Sequence, residues 1–371
     1  MKILELTNFS AGICGVWQRV KQESELLLKK GHNVMIFSSN AIKGSDEISA
    51  KEDKLGKIRI RRFPFKKLGG ESFMIWNFEK EALDFRPDVI IAHGYRQLHT
   101  TKAFKIARKI KSKVFLVTHA PFVEGNFTRT LFAKLAVIFY DRFIGPKIIN
   151  KFDKVIVITK WEIPYIKKLG AKDKKIVYIP NGIPEEFFNY KKSKEEEKIL
   201  FFGRISPIKN LEVLIEALYL IKNKKIILEV VGPAEEEYLR LLKKLVNEEK
   251  LEKRVFFSGP IYDLKEKIKK IDSAKIFVLP SKREGMPQAL IESMSREKIV
   301  IASKNLGTRD LIEDGKNGLL FERGDSKDLA RKINYILENG KSTNDEIREN
   351  AEKSVENFSW KKIILDLERL F

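Results

Sequence analysis

The feature that most constrains this chain is an alternation of short, unbroken apolar segments with helical segments of ten residues or more, run through twice. In the first pass Lys2–Thr7, Asn33–Ser38, Asp88–Ala92, Val114–Thr118 and Lys154–Ile158 read as strands, and Val16–Lys30 as a helix closed by Gly31. In the second, strands at Ile199–Phe202, Ile226–Val231, Val255–Phe257, Ile276–Leu279 and Ile299–Ala302 alternate with helices at Asn210–Ile221, Glu235–Glu249, Tyr262–Ile271 and Pro287–Ser295. Strands that are apolar throughout must be covered on both faces, which parallel sheets with crossover helices achieve. The reading is α/β: two Rossmann-like, doubly wound domains. Such sheets bind ligands at the carboxyl ends of their strands, and two facing each other would form a cleft. A length of 371 residues suits two domains better than one.

The charged stretch Tyr190–Lys198 (YKKSKEEEK) reads as the linker. It sets expected domains of 1–190, taking an acceptor, and 191–357, taking a donor. An amphipathic helix at 358–371 could cross back to the first domain.

Lys and Arg exceed Asp and Glu by 72 to 51, a formal charge of +21, and the excess is uneven. Residues 1–190 carry 35 basic and 19 acidic side chains. A basic first half implies an anionic partner there, such as lipid headgroups, a phosphorylated acceptor or nucleic acid; a lysine-rich, thermophile-like composition is the other reading. One cysteine, Cys14, allows no intrachain disulfide and fits a reducing compartment. Met1–Leu6 does not read as a signal peptide, because Glu5 interrupts the apolar stretch. The longest apolar run, Leu131–Ile149, contains Lys134, Asp141, Arg142 and Lys147, so no span is expected. The expectation is a cytoplasmic protein, soluble or peripheral on the inner face of a membrane.

The densest chemistry follows the strand Ile276–Leu279, in Pro280-Ser-Lys-Arg-Glu284-Gly285-Met286-Pro287-Gln288-Ala289-Leu-Ile-Glu292. Gly285 lets backbone approach a ligand. Pro287 suits a first helical turn, whose free N–H groups favour an anion. Glu292 could take two ribose hydroxyls, and Glu284 could accept from sugar hydroxyls. For either glutamate alone, a helix-dipole or surface charge explains it as well; the cluster favours a site. A second constellation, Phe201-Phe202-Gly203-Arg204-Ile-Ser-Pro207-Ile-Lys209, follows the first strand of the second half. Arg204 as a fork and Lys209 as a point charge suit a diphosphate and would stabilise charge on its departure. Two solvated cations are the alternative. Gly12 and Gly15 could bring backbone amides to a phosphate, although the pair lacks G-x-G-x-x-G spacing.

His93 and His119 each follow an apolar strand, where ligands bind. His119 is favoured for a role in the cleft; for His93 an acceptor contact and a structural role are equally open. His32 reads as packing, and His99 has no assigned place. No H-x-x-x-H, paired cysteines or Asp-x-Asp occurs, so no metal site is expected. Arg129–Lys151 mixes Phe132, Phe139, Tyr140 and Phe143 with basic residues and could lie on an anionic membrane or pack as a core helix. Arg59, Arg61, Arg62, Lys66 and Lys67, interleaved with Phe63 and Phe65, could meet an anionic acceptor or form a solvated edge.

Taken together, these motifs resemble the retaining GT-B glycosyltransferases of family four, over nearly the whole length. The Glu284-x7-Glu292 element with the preceding Gly203-Arg204…Lys209 is the specific part. Val117-Thr118-His119, Ile179-Pro180-Asn181-Gly182, Val231-Gly232, Ser258-Gly259 and Asn317-Gly318-Leu319 are weaker matches. Pro184, where an Asp is frequent, and Leu306-Gly307-Thr308-Arg309-Asp310, where a Gly-Gly is frequent, depart from the pattern. The resemblance implies a nucleotide-diphosphate sugar as co-substrate, with no further cofactor and no metal. Arg204 and Lys209 would hold the diphosphate, with Gly203 shaping their loop. Glu292 would hold the ribose, and Glu284 with Gly285, Met286, Pro287 and Gln288 the donor sugar. His119 would lie beside the anomeric centre, and Gly12 to Gly15 would close over the phosphates. The acceptor would be a glycan, a lipid-linked glycan or a small molecule. A nucleotide-sugar hydrolase or epimerase of the same fold is an alternative, as is a basic protein without turnover. Glu284 and Glu292 argue against a nucleic-acid backbone at their site, and no nucleic-acid partner is expected.

Overall fold

A computed structural model describes residues 1–12, 14–67, 73–122, 131–189, 191 and 193–371, with 131–133 described by backbone alone. Ile13 between the two N-terminal glycines, Tyr190 and Lys192 of the charged stretch, and Arg129 of the basic aromatic segment lie outside the described residues, as does the Phe132 side chain.

Two compact units emerge, Met1–Gly182 with Trp360–Phe371, and Ile183–Ser359. The first unit's sheet runs edge to edge as Ile176–Tyr178, Lys154–Val157, Lys113–Val117, Val89–His93, Lys2–Leu6, Asn33–Ser39, Ile58–Phe63 and Glu52–Leu55. Every pairing is parallel except the last, where Glu52–Leu55 closes the edge antiparallel to Ile58–Phe63. The second unit's sheet is all parallel: Val255–Ser258, Ile227–Val231, Lys198–Phe202, Ile276–Leu279, Ile299–Ser303 and Leu319–Phe321. Numbered along the chain, that order is 3-2-1-4-5-6, the doubly wound arrangement with its switch point beside Lys198–Phe202.

The helices form for the reason the pattern suggested. In Leu211–Leu220 the buried Leu211, Leu214, Ile215 and Leu218 recur at i, i+3, i+4 and i+7 and lie on the second core. Each such side chain taken from water stabilises by about 1.5–3 kcal/mol.

Two expectations change, and the C-terminal helix does join the first unit. The charged stretch does not divide the units. Ile183 and Phe187, both fully buried, belong to the second core, and Lys198 opens its first strand, so the change of unit comes after Gly182. The helix Trp360–Glu368 packs within the first unit beside Gly15–Lys29. There Glu368 Oε1 meets His32 Nε2 at 2.8 Å, and Phe371 stacks on Phe115. The run Arg59–Lys67 is not a plain solvated edge, although Arg59, Lys66 and Lys67 are exposed. Ile58–Phe63 is a sheet strand in which Phe63 joins the core and Arg62 is buried. Arg62 donates to Asp53 Oδ2 and Ser10 Oγ, both at 2.8 Å, and its guanidinium holds the Asp53 carboxyl below its usual range. Among the described residues no helix is long and apolar enough to cross a membrane.

Candidate active site

In the second unit the predicted residues gather at the carboxyl ends of three adjacent strands. After Lys198–Phe202 the chain turns through Gly203 and makes a short 3-10 turn, Pro207–Lys209. After Ile276–Leu279 it runs through Glu284 and Gly285 to the helix Gln288–Ser295, with Pro287 as the N-cap rather than the first helical residue. Lys209 Nζ donates to Glu284 Oε1 at 2.6 Å, so the two loops meet. Gly232, closing the neighbouring strand Ile227–Val231, lies at φ 146°, and a Cβ there would overlap the Gly203 carbonyl. The loop carrying Arg204 is therefore packed backbone to backbone on its neighbour.

Glu292 sits one turn into its helix, 6% exposed, and accepts from Lys267 Nζ at 2.6 Å. Lys267, from the helix Leu264–Asp272, also stands 5.0 Å over the Phe202 ring. It thereby ties Glu292 to the strand that ends at Phe202. The sequence reading missed Lys267: one lysine among many on a charged helix carries no signal until its carboxylate partner is placed. Arg204 does not converge with these groups as tightly as expected. Its side chain is 62% exposed, and its nearest acidic partner is Glu235 at 3.9 Å. Gln288 Nε2 and Ser206 Oγ are buried here without a hydrogen-bond partner, which leaves donors for a ligand at an edge already holding two Lys–Glu pairs.

These two helices are clamped at their far ends. Arg296, just past Gln288–Ser295, donates from Nε and Nη2 to Asp272 Oδ1 and Oδ2, both at 2.8 Å, with both side chains 1% exposed. Its Nη1 reaches the Phe187 carbonyl at 3.0 Å.

The first unit assembles a second cluster. In the parallel register Glu5 pairs with Ile91, His93 with Val117, and His119 follows two residues later. Period-two alternation puts Glu5 and His93 on one face, and the polar line steps toward the strand ends. Glu5 Oε2 meets His93 Nε2 at 2.7 Å, and His93 Nδ1 meets His119 Nε2 at 2.9 Å. His93 is wholly buried, which excludes the acceptor contact considered for it. It is a link between Glu5 and His119. Burial holds its pKa down at about 4 and that of His119 well below the usual value. His99, also buried, has Nδ1 2.8 Å from Asn8 Oδ1 and Nε2 3.0 Å from the His93 carbonyl, both acceptors, and donates from whichever ring nitrogen carries the hydrogen.

His119 and Ala120 both take left-handed backbone, φ 60° and 51°, a conformation that persists only when its surroundings impose it. Glu162 imposes it. Its carboxylate accepts from Thr118 Oγ1 at 2.6 Å and the Ala120 amide at 2.9 Å, on either side of His119. It also accepts from the Ile158 and Thr159 amides and from Thr159 Oγ1. Burial pushes the Glu162 carboxyl up, and these hydrogen bonds oppose it.

Arg19, buried one turn before Glu23 on the helix Gly15–Lys29, pairs with it at 3.0 Å. Its Nη1 also donates to the carbonyls of Ile179 and Pro180 and to Asn181 Oδ1, which fixes that segment. Gly12, at φ 82°, uses its freedom against the chain itself, since a Cβ would collide with the Lys43 backbone. Gly15 is the first residue of its helix. Donor atoms of Glu5, Glu23 and His93 lie within 4.8 Å of one another, a grouping no local motif announces. The Arg19 guanidinium already provides the positive charge there.

Comparison with known proteins accords with this geometry. Residues 182–354 match the family described as glycosyl transferases group 1, and residues 13–187 match Glycosyltransferase Family 4. The chain is 29% identical over 365 residues to the uncharacterized glycosyltransferase MJ1069 of Methanocaldococcus jannaschii, covering 92% of this chain and 90% of that one. It is 25% identical, over 92% of both chains, to a Campylobacter jejuni enzyme named as an alpha-1,4-N-acetyl-D-galactosaminyltransferase acting on a diNAcBac-PP-undecaprenol glycan. Among solved structures, sucrose-phosphate synthase of Thermosynechococcus elongatus superposes with TM-score 0.77 at 20% identity, covering 100% of this chain and 98% of that one. Anabaena HepE in complex with UDP superposes with TM-score 0.76 at 18% identity, covering 100% and 99%. The chain is a group 1 glycosyltransferase with the GT-B fold.

Proposed function

For a glycosyltransferase of this fold, we propose a retaining transfer from a nucleotide-diphosphate sugar bound at the carboxyl ends of the second sheet. The observation that carries this reading is the pair of lysine–carboxylate contacts, Lys209–Glu284 and Lys267–Glu292, on loops and helices rising from adjacent strands. Lys209 and the exposed Arg204 take the diphosphate; Glu292, held by Lys267, takes the ribose hydroxyls in bidentate fashion. Once phosphate engages Lys209, Glu284 is released to accept from hydroxyls of the donor sugar. Gln288 Nε2 and the N-terminal amides of its helix add donors.

The C1–O bond to the diphosphate breaks as the acceptor oxygen bonds C1 on the same face, and the acceptor proton passes to the departing phosphate oxygen. Arg204 and Lys209 stabilise the charge that collects on that diphosphate, so the step calls for no metal. His119 is the first-unit residue that this reading assigns to the transfer. UDP, bound in the HepE structure, makes UDP-sugars the first donors to try. A glycan on a polyprenyl diphosphate, as in the Campylobacter enzyme's name, is the first acceptor. The helix Leu131–Phe139 and the following π-helical turn Tyr140–Ile144 expose Leu135, Ile138, Phe139 and Phe143 beside Lys134, Arg142 and Lys147. That face suits an anionic membrane carrying such an acceptor.

The test is a thermal-shift screen of nucleotide sugars, since a ligand that binds the folded state raises its stability, followed by assay of nucleoside diphosphate release with and without acceptor. Release coupled to acceptor glycosylation is expected. Arg204→Ala and Glu292→Ala should each lower kcat/KM at least tenfold with the fold intact. Equal release without acceptor points to a hydrolase, and full activity in both variants overturns the site.

A further inference from the structure

Glu5 and Glu23 are each 0% exposed, on a strand and a helix that face one another in the first core. The titratable and charged groups around them are Arg19, His93, His119 and His99. Both carboxyls have one oxygen engaged, Glu5 Oε2 by His93 and Glu23 Oε2 by Arg19. The other oxygen of each, Oε1, is buried without a partner, and the two carboxylates come within 4.8 Å of one another. Two ionised carboxylates facing each other in a dry site repel, and two acceptors cannot satisfy each other. With the histidines neutral, one guanidinium balances one carboxylate. One proton between the two Oε1 atoms removes both the excess charge and the two orphaned acceptors.

That proton dictates the rest of the line. Glu5 Oε2 is left as an acceptor, so His93 must donate from Nε2. A neutral imidazole carries a single N–H, so His93 Nδ1 is an acceptor and takes its hydrogen from His119 Nε2. His119 Nδ1 is then bare. We propose that Glu5 and Glu23 act as positioning residues: they share one proton and, through His93, fix His119 as the Nε2–H tautomer, so that its free Nδ1 can only accept a hydrogen bond. This rests on the transferase reading for its consequence. At the strand end, Nδ1 would take a hydroxyl of the sugar or acceptor and would reject a phosphate oxygen. Burial supports the arrangement by raising Glu5 to about 8 and Glu23 to about 7.

The experiment is long-range proton–nitrogen NMR on the full chain labelled with 15N-histidine, whose four histidines are assigned by single substitutions. Between pH 6.5 and 7.5 His93 and His119 should both appear as neutral Nε2–H tautomers. Glu5→Gln, whose amide can supply the shared hydrogen to Glu23 and still accept from His93, should preserve them. Glu5→Leu should let both tautomers of His93 and His119 be populated and lower kcat more than it raises KM. Nδ1–H signals for either histidine in the wild type would overturn the proposal, as would unchanged tautomers in folded Glu5→Leu protein. The tautomers are read without any substrate. A protein that transfers no sugar but shows them sinks the functional reading and leaves the proton assignment standing.

Discussion

Removing the carboxylate of Asp272 should be among the costliest single changes in the second unit. Asp272→Ala deletes both acceptors of a bidentate pair, leaving Arg296 charged and 1% exposed, with only the Phe187 carbonyl still bonded. Breaking a buried pair from one side costs about 3–5 kcal/mol, most of it the penalty of the stranded charge. The tryptophans allow a local assay. Trp17, Trp76, Trp161 and Trp360 all belong to the first unit. Tryptophan fluorescence therefore follows that unit, while far-ultraviolet circular dichroism follows both. Guanidinium unfolding of Asp272→Ala should move the circular-dichroism transition and leave the fluorescence transition in place. Asp272→Leu with Arg296→Met should recover most of the loss, because apolar groups of similar volume can replace a buried pair. The consequence reaches the proposed donor site. The clamp joins the far ends of the helices bearing Lys267 and Glu292, so Asp272→Ala should also raise KM for the donor. A stability change under about 1 kcal/mol, or a double variant no better than the single one, would refute the reasoning.

Three further outcomes are expected. Gly232→Ala pushes a methyl against the Gly203 carbonyl and a residue at φ 146° out of its backbone well; it should cost about 1–3 kcal/mol, read by circular-dichroism unfolding, and raise donor KM. Glu162→Gln replaces one acceptor with a donor where Thr118, Ala120 and Thr159 all donate; kcat should fall at least tenfold with donor KM little changed, and steady-state kinetics showing the reverse would detach Glu162 from His119. The first unit's stability should peak near pH 6.5. Glu5 and Glu23, raised to about 8 and about 7, stabilise fully below their unfolded value near 4.5 and lose that contribution as pH rises through 7–8, by about 1.4 kcal/mol per pH unit for each proton held. His93 and His99, lowered to about 4 and about 3, contribute above their unfolded value near 6.5 and lose it as pH falls. Glu5→Gln should flatten the alkaline limb of the fluorescence midpoints and leave the acid limb; parallel curves would contradict the raised carboxyls.

The same elements separate what is legible in sequence from what is not. The strands Ile276–Leu279 and Ile299–Ser303 are apolar at nearly every position, so local hydrophobicity alone announced a sheet covered on both faces. Glu284, Gly285 and Glu292 stood out because a strand end, a loop and a helix start fall within ten residues. The edge strand Glu52–Leu55 and the strand Ile58–Phe63 were illegible: charges on alternate residues look solvated until Arg62 is seen turned inward onto Asp53.

By itself the sequence determined the class of fold and marked out the Glu284–Glu292 cluster, because periodicity and short-range spacing are local properties of a chain. Only the tertiary structure decided that Glu5, which looked like a mere break in an apolar strand, joins His93 eighty-eight residues away, that Lys267 holds Glu292, and that the second unit begins at Ile183. Those facts depend on sheet register and burial: a carboxylate's partner, its proton and its charge state are set by what parallel pairing brings beside it in a space without water.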